Sequence, residues 1–338
     1  MPPQRATLLQ VAQRAGVSRS TASFVLTGRH LDMRISEDAR QRVLRAAQEL
    51  DYRPNLMARS LRTKVTRTIA LVSDTLASDP YAGRAIQGSL AAAVAHGHLL
   101  FIGETEGDAV VEQKLISDFL DRQVDAFLYA SMFTRYVRVP QALRGHPVVL
   151  LNCLTRAART KQHAVIPDEL QAGISAATVL IDAGHRDGIH LVGSPAEHVF
   201  AGRERLAGIK EGLAAAGTKL AGTIDCDWWP DSAYDAVSRA FASGARPKAL
   251  ICLNDRIALG TYQALRGAGL AIPDDVSVVS FDDSELAPWL RPQLTSISLP
   301  HYQIGWRAVE LLLGPAQDPA VARLPMPVRQ RASVGKPA

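Results

Sequence analysis

TLLQVAQRAGVSRSTASFVLTG, residues 7–28, holds two short helical patterns parted by one glycine turn. Thr7 and Gln10 have the spacing of a capping box, in which hydroxyl and side-chain amide satisfy the first free N–H groups of a helix. Val11, Ala12 and Ala15 follow at helical spacing, and Gly16 permits the left-handed residue that ends a helix. Ser18 can cap a second helix after only a tight turn, and Gly28 finishes it. That second helix is rich in poor helix formers: Ser18, Ser20, Thr21, Ser23 and Thr27 carry hydroxyls that compete for nearby backbone groups. Two short helices about a glycine turn predict a helix-turn-helix, whose second helix lies in the DNA major groove. There, short hydroxyls and long donors meet base edges better than a Glu/Lys surface would.

Arg19 and Ser20, in the first turn, are the candidate base readers. Thr7, Ser18, Thr21, Ser23, Phe24 and Arg29 complete the candidate DNA contacts of this segment. Phe24 has two readings: a core ring packed on the first helix, or an exposed ring touching a thymine methyl. Ser36 caps a third helix with Glu37 and Asp38 in its first turn, where the dipole favours anions. Ala39, Val43, Ala46, Ala47 and Leu50 give that helix its apolar face, and Pro54 closes it.

The charge distribution supports a polyanion-binding head. Residues 1–67 carry 13 Lys/Arg against 5 Asp/Glu, and the remainder 25 against 28, for a formal net charge of +5 over the 338 residues. A small, strongly basic module is joined to a mildly acidic body. The length fits two or three domains, and no stretch approaches the roughly 18 apolar residues of a membrane span. The start, MPPQRATLLQ, has no apolar run after its positive charge, so a secretory signal is not read and the cytoplasm is the expected location. Cys153, Cys226 and Cys252 are scattered without metal-ligand spacing, which predicts buried reduced thiols.

Taken together, residues 7–28 and ISEDARQRVLRAAQELDYRPNLMARSLRT, residues 35–63, resemble the DNA-binding head of the lactose-repressor (LacI/GalR) family of bacterial transcription regulators. The resemblance implies a hinge helix in the RPN-x-x-ARSLR segment that forms in the minor groove when two subunits meet on an operator. Leu61 would be its wedge into a base step, with Asn55, Ala58 and Arg59 around it; an apolar wedge flanked by basic residues suits a bent duplex. Family members often carry Arg where Phe24 stands, so the operator rule should differ at that base.

Beyond residue 67, apolar runs at 69–72, 99–102, 126–129, 148–151, 189–192, 249–253 and 276–280 alternate with helical stretches near 82–95, 110–122, 170–182 and 201–216, and from 232 and 255. Such alternation predicts parallel sheets with helices on both faces. Two such units in about 260 residues suggest two lobes with a ligand cleft at the carboxyl ends of the strands. The segments GRERLAGIKEGL (202–213), ICLNDRIALGTYQALRGAGLAIPDDVSVVSFDD (251–283) and LTSISLPHYQIGWRAVELLL (294–313) extend the family resemblance. It implies a periplasmic-binding-protein-like sensor body. Asn152, Arg205, Asn254 and Asp282 would be polar effector contacts, Trp228 the stacking surface and Tyr81 a residue near the mouth. Structural alternatives stand beside these roles: an Arg205–Asp282 ion pair, a helix cap at Asn254 and Asp255, a core Trp228. Leu299 replaces a residue that is often polar in relatives.

The expected architecture is thus an N-terminal all-α helix-turn-helix head (5–50), a hinge or linker (51–64), an α/β sensor body of two parallel-sheet lobes (68–313) and a C-terminal tail (314–338). The tail carries prolines at 315, 319, 325 and 327 and no leucine heptads, so a homodimer is expected. The expected partners are a pseudo-palindromic double-stranded operator and a small-molecule effector, a sugar before a nucleoside or purine, with no membrane and no cofactor. A solute-binding protein without gene control is the alternative. An enzyme finds little support: neither nucleotide-cradling glycine motif follows a predicted strand, Gly173-Ile-Ser175 lacks the second turn glycine of a nucleophile elbow, and His96/His98 and His185/His190 lack metal partners.

Overall fold

The computed structural model describes residues 6–52, 65–77, 83–156, 162–194, 200–315 and 321–337. It divides into two compact units, Met1–Thr66 and Arg67–Ala338.

The first unit contains α1 (Leu8–Ala15), α2 (Arg19–Leu26) and α3 (Glu37–Glu49). The Thr7–Gln10 capping box is formed, and Gly16 takes φ 64° to end α1. Ser18 and Ser36 cap α2 and α3 through the backbone N–H groups of Thr21 and Ala39. The core is Val11, Ala12, Ala15, Ala22, Val25, Val43, Ala46 and Ala47, mostly small side chains that let three short helices approach closely. Arg42 donates to the free carbonyl of Ala15 at the end of α1, 3.1 Å away.

In the second unit β1 (Thr68–Ser73), α4 (Gly83–Ala95), β2 (Leu99–Glu104), α5 (Ala109–Asp121), β3 (Ala126–Tyr136), β4 (Val148–Leu154) and β5 (His163–Pro167) build a first lobe. β1 and β4 are buried along their whole length, as strands covered on both faces must be. The second lobe follows: α6 (Glu169–Asp182), β6 (Ile189–Val192), α7 (Phe200–Ala215), β7 (Gly222–Ile224), α8 (Pro230–Ala242), β8 (Ala249–Cys252), α9 (Asp255–Gly267), β9 (Ser277–Asp282), α10 (Leu286–Trp289) and β10 (Thr295–Ser298). The chain then returns: α11 (His301–Leu313) packs beside α4 in the core of the first lobe. β11 (Val321–Leu324) and β12 (Val328–Arg329) end the path. The strand orders are β11-β5-β4-β3-β1-β2 and β12-β10-β9-β8-β6-β7, parallel except for the β10–β12 pair.

Three crossings therefore join the lobes: before α6, before α11, and between β11 and β12. Residues 314–338, expected as a separate tail, instead add one strand to each sheet. Unpaired sheet edges and buried polar partners explain why. The Ser333 hydroxyl donates to Val278 O at 2.6 Å and accepts from Thr295 N at 2.8 Å, and Gly335 N donates to Ser277 Oγ.

No helix among the described residues is long and apolar enough to cross a membrane. The three cysteines are buried and free. Burial pushes the thiols of Cys226 and Cys252 up to about 11 and about 12, which leaves them unreactive near neutral pH.

Candidate functional site

On the first unit, α2 presents its first turn outward. Arg19 and Ser20 are exposed, while the Ser18 hydroxyl accepts from Thr21 N at 3.0 Å and lies 2.8 Å from Thr21 Oγ1. Thr7 is exposed but occupied in the cap of α1. Ser23 is half-buried, and its carbonyl accepts the Thr27 hydroxyl at 2.8 Å. Phe24 is half-buried and lies outside the apolar cluster that joins the three helices. Its ring carries the Arg29 guanidinium 5.8 Å from its centre, a cation–π contact that leaves Arg29 exposed. Asn55, Ala58, Arg59, Leu61 and Tyr81 lie outside the described residues.

Within the second unit a cavity of about 370 Å³ opens between the two lobes, at the carboxyl ends of their strands. Asn152, Arg205, Trp228, Asn254 and Asp282 all line it, as does Leu299. Distance along the chain had hidden what holds them. Arg205 projects from α7 into a pocket only 2% exposed. Its Nε and one terminal nitrogen donate to the two oxygens of Glu169 at 2.6 and 3.1 Å; the same terminal nitrogen reaches Asp282 at 3.3 Å, and the other donates to Leu253 O at 2.5 Å. Phe281 and Trp228 cover its planar faces, 4.7 and 5.7 Å from ring centre to guanidinium carbon. Burial disfavours the charge on Arg205, but Glu169 and Asp282 outweigh it and hold the guanidinium protonated. For Glu169 burial pushes the carboxyl up and Arg205 pulls it back. These bonds use four of the five N–H groups of the guanidinium.

Close helix packing makes the Arg205–Glu169 pair possible. A Cβ on Gly173 of α6 would stand 2.2 Å from Arg205 O, and one on Gly208 of α7 would stand 2.0 Å from Leu170 O. Only glycine at both crossing points lets the two backbones come near enough for a buried bidentate pair.

Asp282 ends β9 at φ 101°, and Asp283 follows at φ 50°, two left-handed non-glycine residues in succession. The turn is clamped from three sides. Asp283 pairs with Arg331 at 2.6 Å, and its N–H donates to Ser296 Oγ at 3.0 Å. The buried Asp255 accepts from Ser284 N and Oγ at 2.7 and 2.9 Å and from Ser296 Oγ at 2.8 Å. Burial, then the neighbouring Asp282, push the Asp255 carboxyl up to about 7, against the pull of those donors.

Two of the predicted polar contacts are spent on the protein itself. Asn152, at φ 56°, donates both amide hydrogens to Ser131 O and Met132 O at 3.1 and 2.9 Å and accepts from Thr134 at 2.6 Å. It braces the irregular part of β3, where the register with β4 slips between Ala130 and Arg135. That bulge turns Met132, Phe133 and Thr134 into the cavity. Asn254 caps α9, with Oδ1 accepting from Ile257 N at 2.7 Å, the alternative that the sequence left open. Trp228 is half-buried and fixed by its indole N–H, which donates to Ser194 O at 2.8 Å. Glu169, Asp255, Phe133, Trp229 and Arg331 were not anticipated. The sequence offers Asp255 only as part of the helix cap at Asn254, and the acid at the start of α6 carries a signal that reads equally as dipole compensation.

No group of three or more His, Cys, Asp or Glu among the described residues is placed to hold a metal. Fixed donors, acceptors and an indole face suit reversible binding of a hydroxylated ring.

Comparison with known proteins bears on both units. Residues 7–55 match the family model for bacterial regulatory proteins of the lacI family, and residues 177–334 that for a periplasmic binding protein-like domain. The HTH-type transcriptional regulator AscG of Escherichia coli K12 is 34% identical over 299 residues, covering 87% of each chain. The lac repressor dimer bound to operator and the anti-inducer ONPF aligns over 98% of this chain and 100% of that one, with a TM-score of 0.77 and 24% identity, a likeness of fold. A complex of the transcriptional regulator CelR with cellobiose covers 97% and 100% at 29% identity and a TM-score of 0.67.

Proposed function

The chain belongs to the lacI family of bacterial regulatory proteins, and on that premise we propose that it is a dimeric repressor that reads a pseudo-palindromic operator with α2 and releases it in response to a sugar in the interlobe cavity. It is an effector-controlled DNA-binding regulator and not an enzyme. The observation that carries the DNA side is the exposed Arg19–Ser20 turn of α2, on a head of net charge +8 counted over residues 1–67. Asn55, Ala58, Arg59 and Leu61 would form the minor-groove hinge, and Tyr81 would stand at the mouth of the cavity. Acting on DNA, the protein works in the cytoplasm.

Support for a dimer comes from the first lobe. β2 is the edge strand of its sheet and exposes Leu99, Phe101 and Ile102, and the adjoining α4 exposes Leu90 and Val94. An apolar edge of this extent is a template for pairing that a monomer would have to blunt. On the effector side, Arg205, Asp282 and Trp228 supply a charged donor, a carboxylate acceptor and an apolar face, the set a polyhydroxylated ring needs; a nucleoside is the second choice.

The test is operator selection with the full chain from randomised duplexes, followed by titration at several salt concentrations. Binding should weaken steeply with salt because each phosphate contact releases a counterion. Deleting residues 1–64 should abolish it and leave the body folded by circular dichroism. Retained binding with the same salt slope would refute the assignment of the head.

A further inference from the structure

The cavity is larger and more aromatic than one ring on Trp228 requires. Two aromatic side chains line it with much of their surface open: Phe133, 49% exposed, from the first lobe, and Trp229, 60% exposed, from the second. Neither is loose. Phe133 sits in the β3 bulge, where Asp74 accepts from Met132 N and Ser131 Oγ, both at 2.8 Å, and Asn152 bonds the carbonyls on the same stretch. Trp229 is the N-cap residue of α8, and the Arg256 guanidinium lies 4.7 Å from its ring centre. That contact depends on helix proximity: a Cβ on Gly260 would stand 2.0 Å from Pro230 O, so α9 lies hard against the start of α8 and Arg256, one turn earlier, reaches the indole. Open aromatic faces pre-positioned on two lobes lose hydrophobic free energy in water that an apolar ring face can recover.

The charges around the cavity decide what kind of ring. Four arginines and five carboxyl side chains line it. Arg205 is paired with Glu169 and Asp282, and Arg331 with Asp283, and the five carboxyl groups outnumber the four arginines, so the lining as a whole carries no net positive charge to favour a phosphate or carboxylate. Arg84 and Glu285 also line the cavity, both exposed, and neither forms an ion pair among the described residues, which leaves a donor and an acceptor for hydroxyl groups.

We propose that Phe133 and Trp229 form an outer sugar subsite, and that the effector is an uncharged disaccharide whose inner ring lies on Trp228 and whose outer ring takes these two aromatic faces. The proposal rests on the reading of the inner site as a sugar site. Calorimetric titration of the full chain with glucose, galactose, cellobiose, lactose, phenyl β-glucoside and glucose 6-phosphate tests both levels. A disaccharide should bind at least about tenfold tighter than either monosaccharide, and glucose 6-phosphate no tighter than glucose. Trp229→Ala should remove the disaccharide advantage and leave monosaccharide affinity within about twofold, while Asp282→Ala should weaken both alike. Phe133→Ala, on the other lobe, repeats the test should the tryptophan variant fold poorly. Monosaccharide affinity equal to that of the disaccharides, a phenyl glucoside or phosphate that binds tightest, or equal loss of both affinities in Trp229→Ala overturns the outer subsite and leaves the inner site standing. No binding by any of the six sugars overturns the sugar reading itself, and the outer subsite with it.

Discussion

Phe24 illustrates how one side chain can set a recognition rule. Half-buried, outside the core of the head and capped by Arg29, it would offer an apolar contact to a thymine methyl where Arg would offer two parallel hydrogen bonds to guanine. Phe24→Arg should therefore shift the selected operator toward G at the contacted position, with roughly 1–3 kcal/mol of new discrimination. Unchanged selection together with loss of folding would make Phe24 a packing residue. Asp255 is the corresponding case in the cavity. Its carboxyl titrates near 7 when folded and near 4 when unfolded. In that interval the folded chain holds the extra proton, so the stability contributed by Asp255 is complete below about pH 4, falls as pH rises and is gone above about 7. Asp255→Asn keeps the acceptor for Ser284 and lacks the titration. The variant should gain on the wild type by at most about 1.4 kcal/mol per pH unit across this window, read from denaturant midpoints at pH 5 and pH 8. A difference that does not change with pH would show that the carboxyl stays ionised.

The α6–α7 crossing sets the Arg205 site. Gly173→Ala places a methyl group on Arg205 O and forces the helices apart, which breaks the fit between Arg205 and Glu169 and leaves a buried charge imperfectly paired. The expected loss is about 3–5 kcal/mol of stability, with effector affinity falling even under conditions where the variant is folded. Thermal midpoints and calorimetry measure the two effects separately. A variant with normal affinity would mean that the crossing serves packing alone. The β3 bulge makes the comparable arrangement on the opposite wall, where Asn152 and Asp74 hold a stretch of irregular backbone that a regular strand would have turned away from the cavity.

Three crossings connect the lobes, and the cavity draws its lining from both lobes and from the crossings themselves: Pro167 before α6, Ser298 and Leu299 before α11, and His301 at its first position. On the proposed function, closure on a ligand would shift one lobe against the other and, in a dimer, would change the spacing at which two hinge segments near Leu61 would pair. A coupling of about 1–3 kcal/mol suffices for regulation, and linkage requires operator to change effector affinity by the same factor that effector changes operator affinity. Calorimetry of the effector with and without operator checks this directly. Equal affinities in the two titrations would rule out control by this route.

Local signals carried the head: the capping box at Thr7, the left-handed Gly16, the caps at Ser18 and Ser36 and the small apolar stripe are each complete within a few residues, and the structure forms all of them. The alternation of buried strands and helices likewise announced two parallel sheets, because strands covered on both faces must be apolar throughout. The short strands β5, β7, β10, β11 and β12 were not legible, since their pairing depends on distant parts of the chain. In the cavity the family resemblance pointed to Arg205, Trp228 and Asp282, but neither it nor the chain pattern could say that Glu169 holds the guanidinium, that Asp255 clamps the Asp282–Ser284 turn, or that Asn152 spends its amide on the bulge. Those partners lie 21 to 36 residues apart, and Arg331 lies 48 from Asp283, for physical reasons that no local window contains: two glycines that let helices touch, a register slip that re-aims a strand, and a C-terminal segment that returns to pair with Asp283. The amino-acid order determined which elements form and which of their faces are buried. The tertiary structure alone decided which polar groups are left free to meet a ligand, because a donor's availability depends on every acceptor that folding brings within 3 Å of it.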